Sequence, residues 1–86
     1  TVANTMTNLM RQVVTRGTGR GAAIGFGEGG KTGTTDKNVD LWFIGFIPGR
    51  RIATGIWLGN DNNSPTSGSS AQAAQLWGNY MRQVVR

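Results

Sequence analysis

The segment Gly30-Lys-Thr-Gly-Thr-Thr35, with the two apolar segments that follow it, decides the fold of this chain. Its threonines favour extended backbone, so residues 30–36 are predicted to form a strand. Asp40-Leu-Trp-Phe-Ile-Gly-Phe-Ile47 and Ile52-Ala-Thr-Gly-Ile-Trp-Leu58 are apolar at nearly every position. Pro48-Gly-Arg-Arg51 between them has the length of a hairpin connection. Strands that are apolar on both faces belong inside a sheet with covering layers, which predicts an antiparallel sheet flanked by helices.

Helical patterns lie on either side of the predicted strands. Residues 2–15 carry apolar side chains at helical spacing, and a glycine-rich loop over 17–30 ends this helix because glycine accepts positive φ. A second helix is predicted to begin at Ser69 or Ser70, after a polar loop. Its apolar positions are Ala73, Ala74, Leu76, Trp77, Tyr80, Met81, Val84 and Val85. The fold class is therefore α+β, and two helices are enough to cover one face of the sheet but not both.

Composition excludes several kinds of site. The 86 residues contain no cysteine and no histidine, which excludes disulfides, a Ser-His-Asp triad and zinc held by thiolate or imidazole. We therefore expect no metal and no cofactor. The net charge is +5, but only Arg50 and Arg51 are adjacent, so no strip of basic residues matches a nucleic-acid backbone. No apolar run approaches the ~18 residues of a membrane span.

Two motifs overlap in the glycine-rich region. Gly25-Phe-Gly-Glu-Gly-Gly-Lys-Thr32 satisfies the P-loop pattern, which would indicate nucleotide binding. A P-loop needs a helix after the lysine, whose N-terminal N–H groups meet the phosphate, but here a strand is predicted. The P-loop is therefore the less favoured alternative. Lys31-Thr32-Gly33 is instead one of the three signatures of penicillin-binding proteins and class A β-lactamases.

The residue types of this second motif suit acyl transfer. Lys31 provides a cation near the nucleophile and the leaving group, and hydroxyls at Thr32 and Thr34 suit a substrate carboxylate. Gly33 lacks a side chain, which leaves room for a substrate that adds to the strand as a further β-strand. A backbone N–H near Thr34 can complete an oxyanion hole, and such donors contribute about 3 kcal/mol to transition-state stabilisation.

The whole chain resembles the C-terminal part of the transpeptidase domain of class A (bifunctional) penicillin-binding proteins. The resemblance covers most of residues 6–85 and is carried by four segments. They are Met10-Arg-Gln-Val-Val-Thr-Arg-Gly-Thr-Gly-Arg20, Gly30-Lys-Thr-Gly-Thr-Thr35, Asp40-Leu-Trp-Phe-Ile-Gly-Phe46 and Gly55-Ile-Trp-Leu-Gly-Asn-Asp61. The resemblance implies the fold of the serine β-lactamases and penicillin-binding transpeptidases, of which this chain would supply only the helix-strand-strand-strand-helix portion.

Carried over by position, the resemblance implies that Lys31 and Thr34 are catalytic and that Thr32, Gly33, Thr34 and Thr35 bind substrate. It implies a D,D-transpeptidase that cross-links peptidoglycan stem peptides through an acyl-serine, with β-lactams acylating the same serine. No cofactor or metal is implied, and nucleic acid is not an expected partner. The location implied is the extracytoplasmic (periplasmic) face of the bacterial membrane, reached through an anchor upstream in the parent protein.

The chain departs from the family pattern in one decisive respect. None of its serines is followed by lysine three positions later, so the Ser-x-x-Lys nucleophile motif is missing, and Ser-x-Asn is missing as well. We therefore expect residues 1–86 to be one segment of a transpeptidase domain, inactive alone, whose partner is the upstream segment of that domain. The other alternative left open is a non-catalytic, basic, β-rich binding module.

Several other residues have predicted structural roles. Trp42, Trp57 and Trp77 lie in apolar patterns and are predicted to pack in the core rather than to stack on glycans. Asp40 and Asp61 are predicted to end strands or turns rather than to form a catalytic pair. Glu28 is predicted to be a solvated loop residue.

Overall fold

The computed structural model describes residues 1–35, 39–60, 65–66 and 68–85. Helix α1 spans Val2–Thr15, strands β1, β2 and β3 span Gly29–Thr34, Asp40–Ile47 and Ile52–Gly59, and helix α2 spans Ser70–Val84. This order and the α+β class confirm the prediction. Strand β1 begins one residue earlier than predicted and ends at Thr34, while residue 36 of the predicted strand lies outside the described residues.

The three strands form one antiparallel sheet in the order β1-β2-β3. In the register of β1 with β2, Lys31 lies opposite Ile44 and Gly33 opposite Trp42. The turn between β2 and β3 passes through a short 3₁₀ helix and ends at Arg51, whose φ of 54° lies in the left-handed region. The short connection explains why β2 and β3 pair along their whole lengths.

Helix α2 packs on the face of the sheet to which every second residue of β2 points, and α1 packs against β1. The buried apolar residues are Val14, Ala22, Leu41, Phe43, Ile47, Ala73, Ala74, Trp77, Met81 and Val85. Trp77 forms the centre of this core, with its ring 5.5 Å from that of Phe43 at 65° and its indole N–H donating to the Thr54 carbonyl at 3.0 Å. A Cβ at Gly45 would stand 2.6 Å from the Trp77 ring, so only glycine admits the indole there.

The opposite face of the sheet is uncovered within the described residues. Trp42, Ile44 and Trp57 are 39%, 55% and 46% exposed. The prediction that Trp42 and Trp57 pack in the core is therefore wrong, whereas that for Trp77 is confirmed. The residue pattern identified both strands as apolar on two faces, but the chain's two helices supply one covering layer.

Both helices also bury less of their apolar surface than the pattern suggests. On α2, Leu76 and Val84 are among the predicted apolar positions, yet each is 45% exposed. On α1, Met6 and Leu9 are about half exposed, and the buried contact is made by Val14 near the end of the helix. A helix lying on a sheet buries only a narrow stripe, so apolar side chains at the margin of that stripe remain in contact with solvent.

Candidate functional site

Strand β1, which carries the motif, is an edge strand that pairs only with β2 among the described residues. The N–H of Thr35 donates to the carbonyl of Asp40 at 3.0 Å, which makes this pair a hydrogen-bonding position of the ladder. Because such positions alternate in antiparallel pairs, the N–H and C=O groups of Thr32 and Thr34 point away from β2. The motif therefore presents a row of backbone donors and acceptors along an open edge, the arrangement to which an extended peptide adds.

Lys31 brings a positive charge to this edge. Its side chain is exposed and projects from the uncovered face, on the side that carries Ile44. Its ammonium turns back and donates to the carbonyl of Thr32 at 2.9 Å, which is an outward-facing acceptor. A lysine ammonium has three protons, so this contact leaves donors for a ligand at the same edge.

Thr32 lies on the other face, above the core. It is 8% exposed, and its hydroxyl lies 2.7 Å from the hydroxyl of Thr18, which is in the turn that follows α1. Either oxygen of the pair can donate. Thr34 is on the same side of the strand as Thr32 and is exposed. The strand therefore divides the predicted site residues between two faces, and only its open edge brings them together.

The glycines around Lys31 differ in what surrounds them. A Cβ at Gly30 would lie 2.5 Å from Phe43 and 2.7 Å from the carbonyl oxygen of Ile44, so the core requires glycine there. A Cβ at Gly33 would meet nothing closer than the Cβ of Trp42 at 3.7 Å, which is ordinary contact. The fold itself therefore does not require glycine at position 33.

Thr35 belongs to a polar network at the end of the motif strand. Its hydroxyl accepts from the N–H of Asp40 at 2.8 Å, and the Asp40 carboxylate accepts from the indole N–H of Trp57 at 2.9 Å. These bonds tie together the ends of the three strands next to Thr34. Asp40 is thus a strand-end aspartate as predicted, while Asp61 lies outside the described residues.

Glu28 is buried rather than solvated, which corrects the prediction. It is 7% exposed, and its carboxylate accepts from the N–H groups of Phe26 at 2.7 Å, Ile24 at 3.0 Å and Gly25 at 3.4 Å. Burial by itself raises the pKa of Glu28, but these N–H groups outweigh it and hold the pKa below its usual value. The carboxylate fixes the loop from which β1 emerges, and Gly25 and Gly27 in that loop have positive φ.

The structure does not support the P-loop interpretation. Lys31 and Thr32 lie inside a strand, and Gly29 and Gly30 are strand residues as well. Lys31 is followed by strand residues as far as Thr34 rather than by the start of a helix, so no helix N-terminal N–H groups surround this lysine among the described residues. Within the described ranges no three acidic residues gather to hold a metal ion, and no helix is long and apolar enough to cross a bilayer.

The structure thus places all five predicted site residues, Lys31 to Thr35, on or next to one open strand edge; their individual roles stay predictions. Thr18, which contacts this region, was missed, and Glu28 was named but assigned to the wrong environment. Thr18 carries no signal of its own in the sequence, since its contact with Thr32 spans 14 positions. The burial of Glu28 could have been predicted from its position in a glycine-rich turn. A carboxylate in such a turn often accepts hydrogen bonds from nearby backbone N–H groups.

Comparison with known proteins agrees with the fold and the motif. The family model of the penicillin-binding protein transpeptidase domain matches residues 1–82. Penicillin-binding protein 1B of Vibrio cholerae is 42% identical over 83 residues, 92% of this chain and 10% of that protein. Penicillin-binding protein 1A of Aquifex aeolicus is 40% identical over 83 residues, 92% of this chain and 11% of that protein.

Penicillin-binding protein 1B of Escherichia coli is 48% identical over 68 residues, which cover 76% of this chain and 8% of that protein. The chain therefore spans about a tenth of the length of the curated relatives that it matches. The resemblance stated from the four sequence segments is confirmed, and neither the P-loop nor the unrelated binding module is favoured. The chain belongs to the penicillin-binding protein transpeptidase domain family.

Proposed function

We propose that this chain forms one wall of the active site of a penicillin-sensitive D,D-transpeptidase, and that the nucleophilic serine comes from another segment of the same domain. The observation that carries the proposal is the open edge of β1, which holds both the Lys31 ammonium, bonded to the outward Thr32 carbonyl, and the outward N–H of Thr34. Edge pairing provides binding energy through the backbone, so a peptide is the class of substrate that fits.

In this proposal the stem peptide lies antiparallel to β1 as an added strand. The N–H of Thr34 points at the carbonyl that the serine attacks and stabilises the oxyanion that forms there. The hydroxyls of Thr32 and Thr34, on one side of the strand, hold the terminal carboxylate. The bond from serine Oγ to the carbonyl carbon forms and the D-Ala-D-Ala amide bond breaks, while the serine proton passes to the departing D-alanine amine. An amine of a neighbouring stem peptide then takes the acyl group.

The role proposed for Lys31 is electrostatic. Its ammonium lies at the edge already, held by one hydrogen bond to the Thr32 carbonyl. A substrate strand would compete for that carbonyl and free the ammonium to turn toward the nucleophile and the hydroxyls that relay protons. The same site would accept a β-lactam, whose carboxylate and strained amide present the same groups as the D-Ala-D-Ala terminus.

The partner proposed for this chain is the upstream segment of its own transpeptidase domain, packed on the uncovered face of the sheet. Trp42 and Trp57 stand side by side there, with ring centroids 6.3 Å apart, and Ile44 extends the apolar surface. Lys31 projects from the same face. A segment that covered the tryptophans would therefore also place its own groups beside the motif lysine, as a serine nucleophile requires.

The broader setting follows from the family and belongs to the same proposal. The substrate would be peptidoglycan, the site would face the periplasm, and the attachment to the membrane would lie in a part of the parent protein outside residues 1–86. Release of the acyl group to water instead of to an amine would make the activity that of a D,D-carboxypeptidase, and the same wall would serve both reactions.

A chimeric protein tests the proposal. Residues 1–82 replace the matching segment of Vibrio cholerae penicillin-binding protein 1B, and a fluorescent penicillin reports acylation of the host's serine. We expect the folded chimera to label, and Lys31→Ala to reduce labelling at least tenfold. Arg50→Ala is the matched control, since Arg50 is an exposed cation in the turn between β2 and β3, where its guanidinium lies 5.5 Å from the Phe26 ring and not on the edge of β1. A folded chimera that does not label would refute the proposal. Full labelling of Lys31→Ala would refute the role proposed for Lys31.

A further inference from the structure

We propose that Thr18 is a positioning residue that turns the hydroxyl proton of Thr32 toward the carboxylate of the ligand. The inference rests on the proposed function, because it concerns how the motif strand meets its substrate. Its basis is the distance of 2.7 Å between the two hydroxyl oxygens, which is the usual length of a well-formed hydrogen bond between hydroxyl groups. Thr18 contributes nothing else to the site, since it lies in the turn after α1 and not on the sheet.

The turn that carries Thr18 is fixed on both sides. The N–H of Gly17 donates to the carbonyls of Gln12 and Val13, and the N–H of Gly19 donates to the Val13 carbonyl at 3.0 Å. A Cβ at Gly17 would lie 3.1 Å from Val13, and one at Gly19 would lie 2.9 Å from the ring of Phe43. The backbone on each side of Thr18 is therefore in close contact, which leaves the threonine little freedom to move.

The sheet brings Thr32 to the same place. Phe43 lies directly opposite Thr32 in the register of β1 with β2, so both side chains point to the helix face. Gly19 is buried against Phe43, and the neighbouring Thr18 then reaches the hydroxyl next to it. The contact thus follows from the packing of Gly19 on Phe43, which brings the exposed Thr18 next to the motif strand.

The direction of the proton gives this contact its function. A hydroxyl donates one hydrogen bond and accepts two, so the pair can be arranged with either threonine as donor. A ligand carboxylate can only accept, and it selects the arrangement in which Thr18 donates to Thr32 and Thr32 donates to the carboxylate. Hydrogen bonds in such a chain strengthen one another. Without Thr18 the Thr32 hydroxyl, which is 8% exposed, is free to rotate away from the ligand.

The test uses the Vibrio cholerae chimera and two probes, a penicillin and the methyl ester of the same penicillin. Thr18→Val removes the hydroxyl and keeps the shape of the side chain. We expect it to slow acylation by the penicillin about 5- to 10-fold, from the typical worth of a hydrogen bond between neutral groups, and to change acylation by the ester less than about 2-fold. Thr18→Ser should restore the rate with the penicillin. Thr7→Val, which removes a hydroxyl bonded to the Ala3 carbonyl at 2.9 Å on α1, is the matched control.

The other outcomes are distinct. Equal slowing of both probes by Thr18→Val would mean a structural role only and would overturn the inference, as would an unchanged rate with the penicillin. If valine unfolds the chimera, Thr18→Ala makes the same comparison without apolar bulk. Thr32→Val tests the proposed carboxylate site separately from the role of Thr18. If Thr32→Val slows acylation by the penicillin and by its ester equally, the proposed carboxylate site itself is wrong, whatever Thr18 does.

Discussion

Gly33→Ala separates the requirements of the fold from those of the site. The nearest atom to a Cβ at position 33 is the Trp42 Cβ at 3.7 Å, and the backbone there is not in the left-handed region. Folding should therefore tolerate alanine. Replacing glycine by alanine without strain stabilises a protein by about 0.4–1 kcal/mol, chiefly by restricting the unfolded chain. We expect the melting temperature of the chimera to stay the same or to rise slightly.

Acylation should respond in the opposite direction. The added methyl group projects from the uncovered face next to Lys31, where the proposed substrate strand and the catalytic groups converge. A displacement of about 1 Å in a reacting group typically costs about 10²-fold in rate, so we expect acylation by penicillin to fall roughly 10- to 100-fold. The assay is the time course of fluorescent penicillin labelling, with the melting temperature recorded on the same samples.

Gly30→Ala is the matched control, because it places the same methyl group on the same strand, three residues away, but against the core. Its Cβ would lie 2.5 Å from Phe43 and 2.7 Å from the Ile44 carbonyl. Overpacking of this kind costs typically about 1–3 kcal/mol, so the melting temperature should fall. Undiminished acylation of Gly33→Ala, or a loss of stability equal to that of Gly30→Ala, would refute the reasoning that glycine at position 33 serves the substrate.

Three further predictions concern the core, the loop and the open face. Trp77→Ala removes the fully buried ring and its bond to Thr54, and should cost about 3–5 kcal/mol in the free energy of unfolding, measured by denaturant titration of the isolated domain of the chimera. Glu28→Gln should lower the melting temperature at pH 7. Since the folded pKa of Glu28 lies below its unfolded value, the stabilisation by its carboxylate is complete above the unfolded pKa and is lost as pH falls through the folded pKa. The melting temperatures of the two proteins should therefore converge in acid, and a constant difference would contradict the carboxylate's role. Residues 1–86 alone should bind a hydrophobic dye through Trp42 and Trp57 and lack a cooperative thermal transition, and a sharp transition without dye binding would show that the segment is an autonomous domain.

Much of the fold is predictable because it depends on local rules. Threonine-rich and apolar segments marked the three strands to within about two residues, which is the usual uncertainty of a strand boundary, and glycine after residue 15 marked the end of α1. The hairpin between β2 and β3 is a matter of chain length alone. The motif was recognisable for the same reason, because its lysine, glycine and threonines are adjacent in the sequence.

The two errors, on the tryptophans and on Glu28, both concern burial. Whether Trp42 and Trp57 are covered depends on how many layers pack on the sheet. The pattern of apolar residues along a strand does not show how many layers there are. Glu28 was misjudged because a carboxylate between glycines is ordinary in a solvated loop, and only the path of the loop brings the N–H groups of residues 24–26 around it.

By itself the sequence determined the element order, the motif strand and the family, since each depends on residues that are neighbours along the chain. Only the tertiary structure decided that Lys31 to Thr35 occupy an open edge, because edge or centre is a property of pairing between strands. It also decided that Thr18 meets Thr32, since Gly19 packs on Phe43 across the core and no local rule connects a helix-ending turn with a strand 14 residues later. The motif therefore identifies the site residues, and the packing of the sheet and the turn determines how they are arranged.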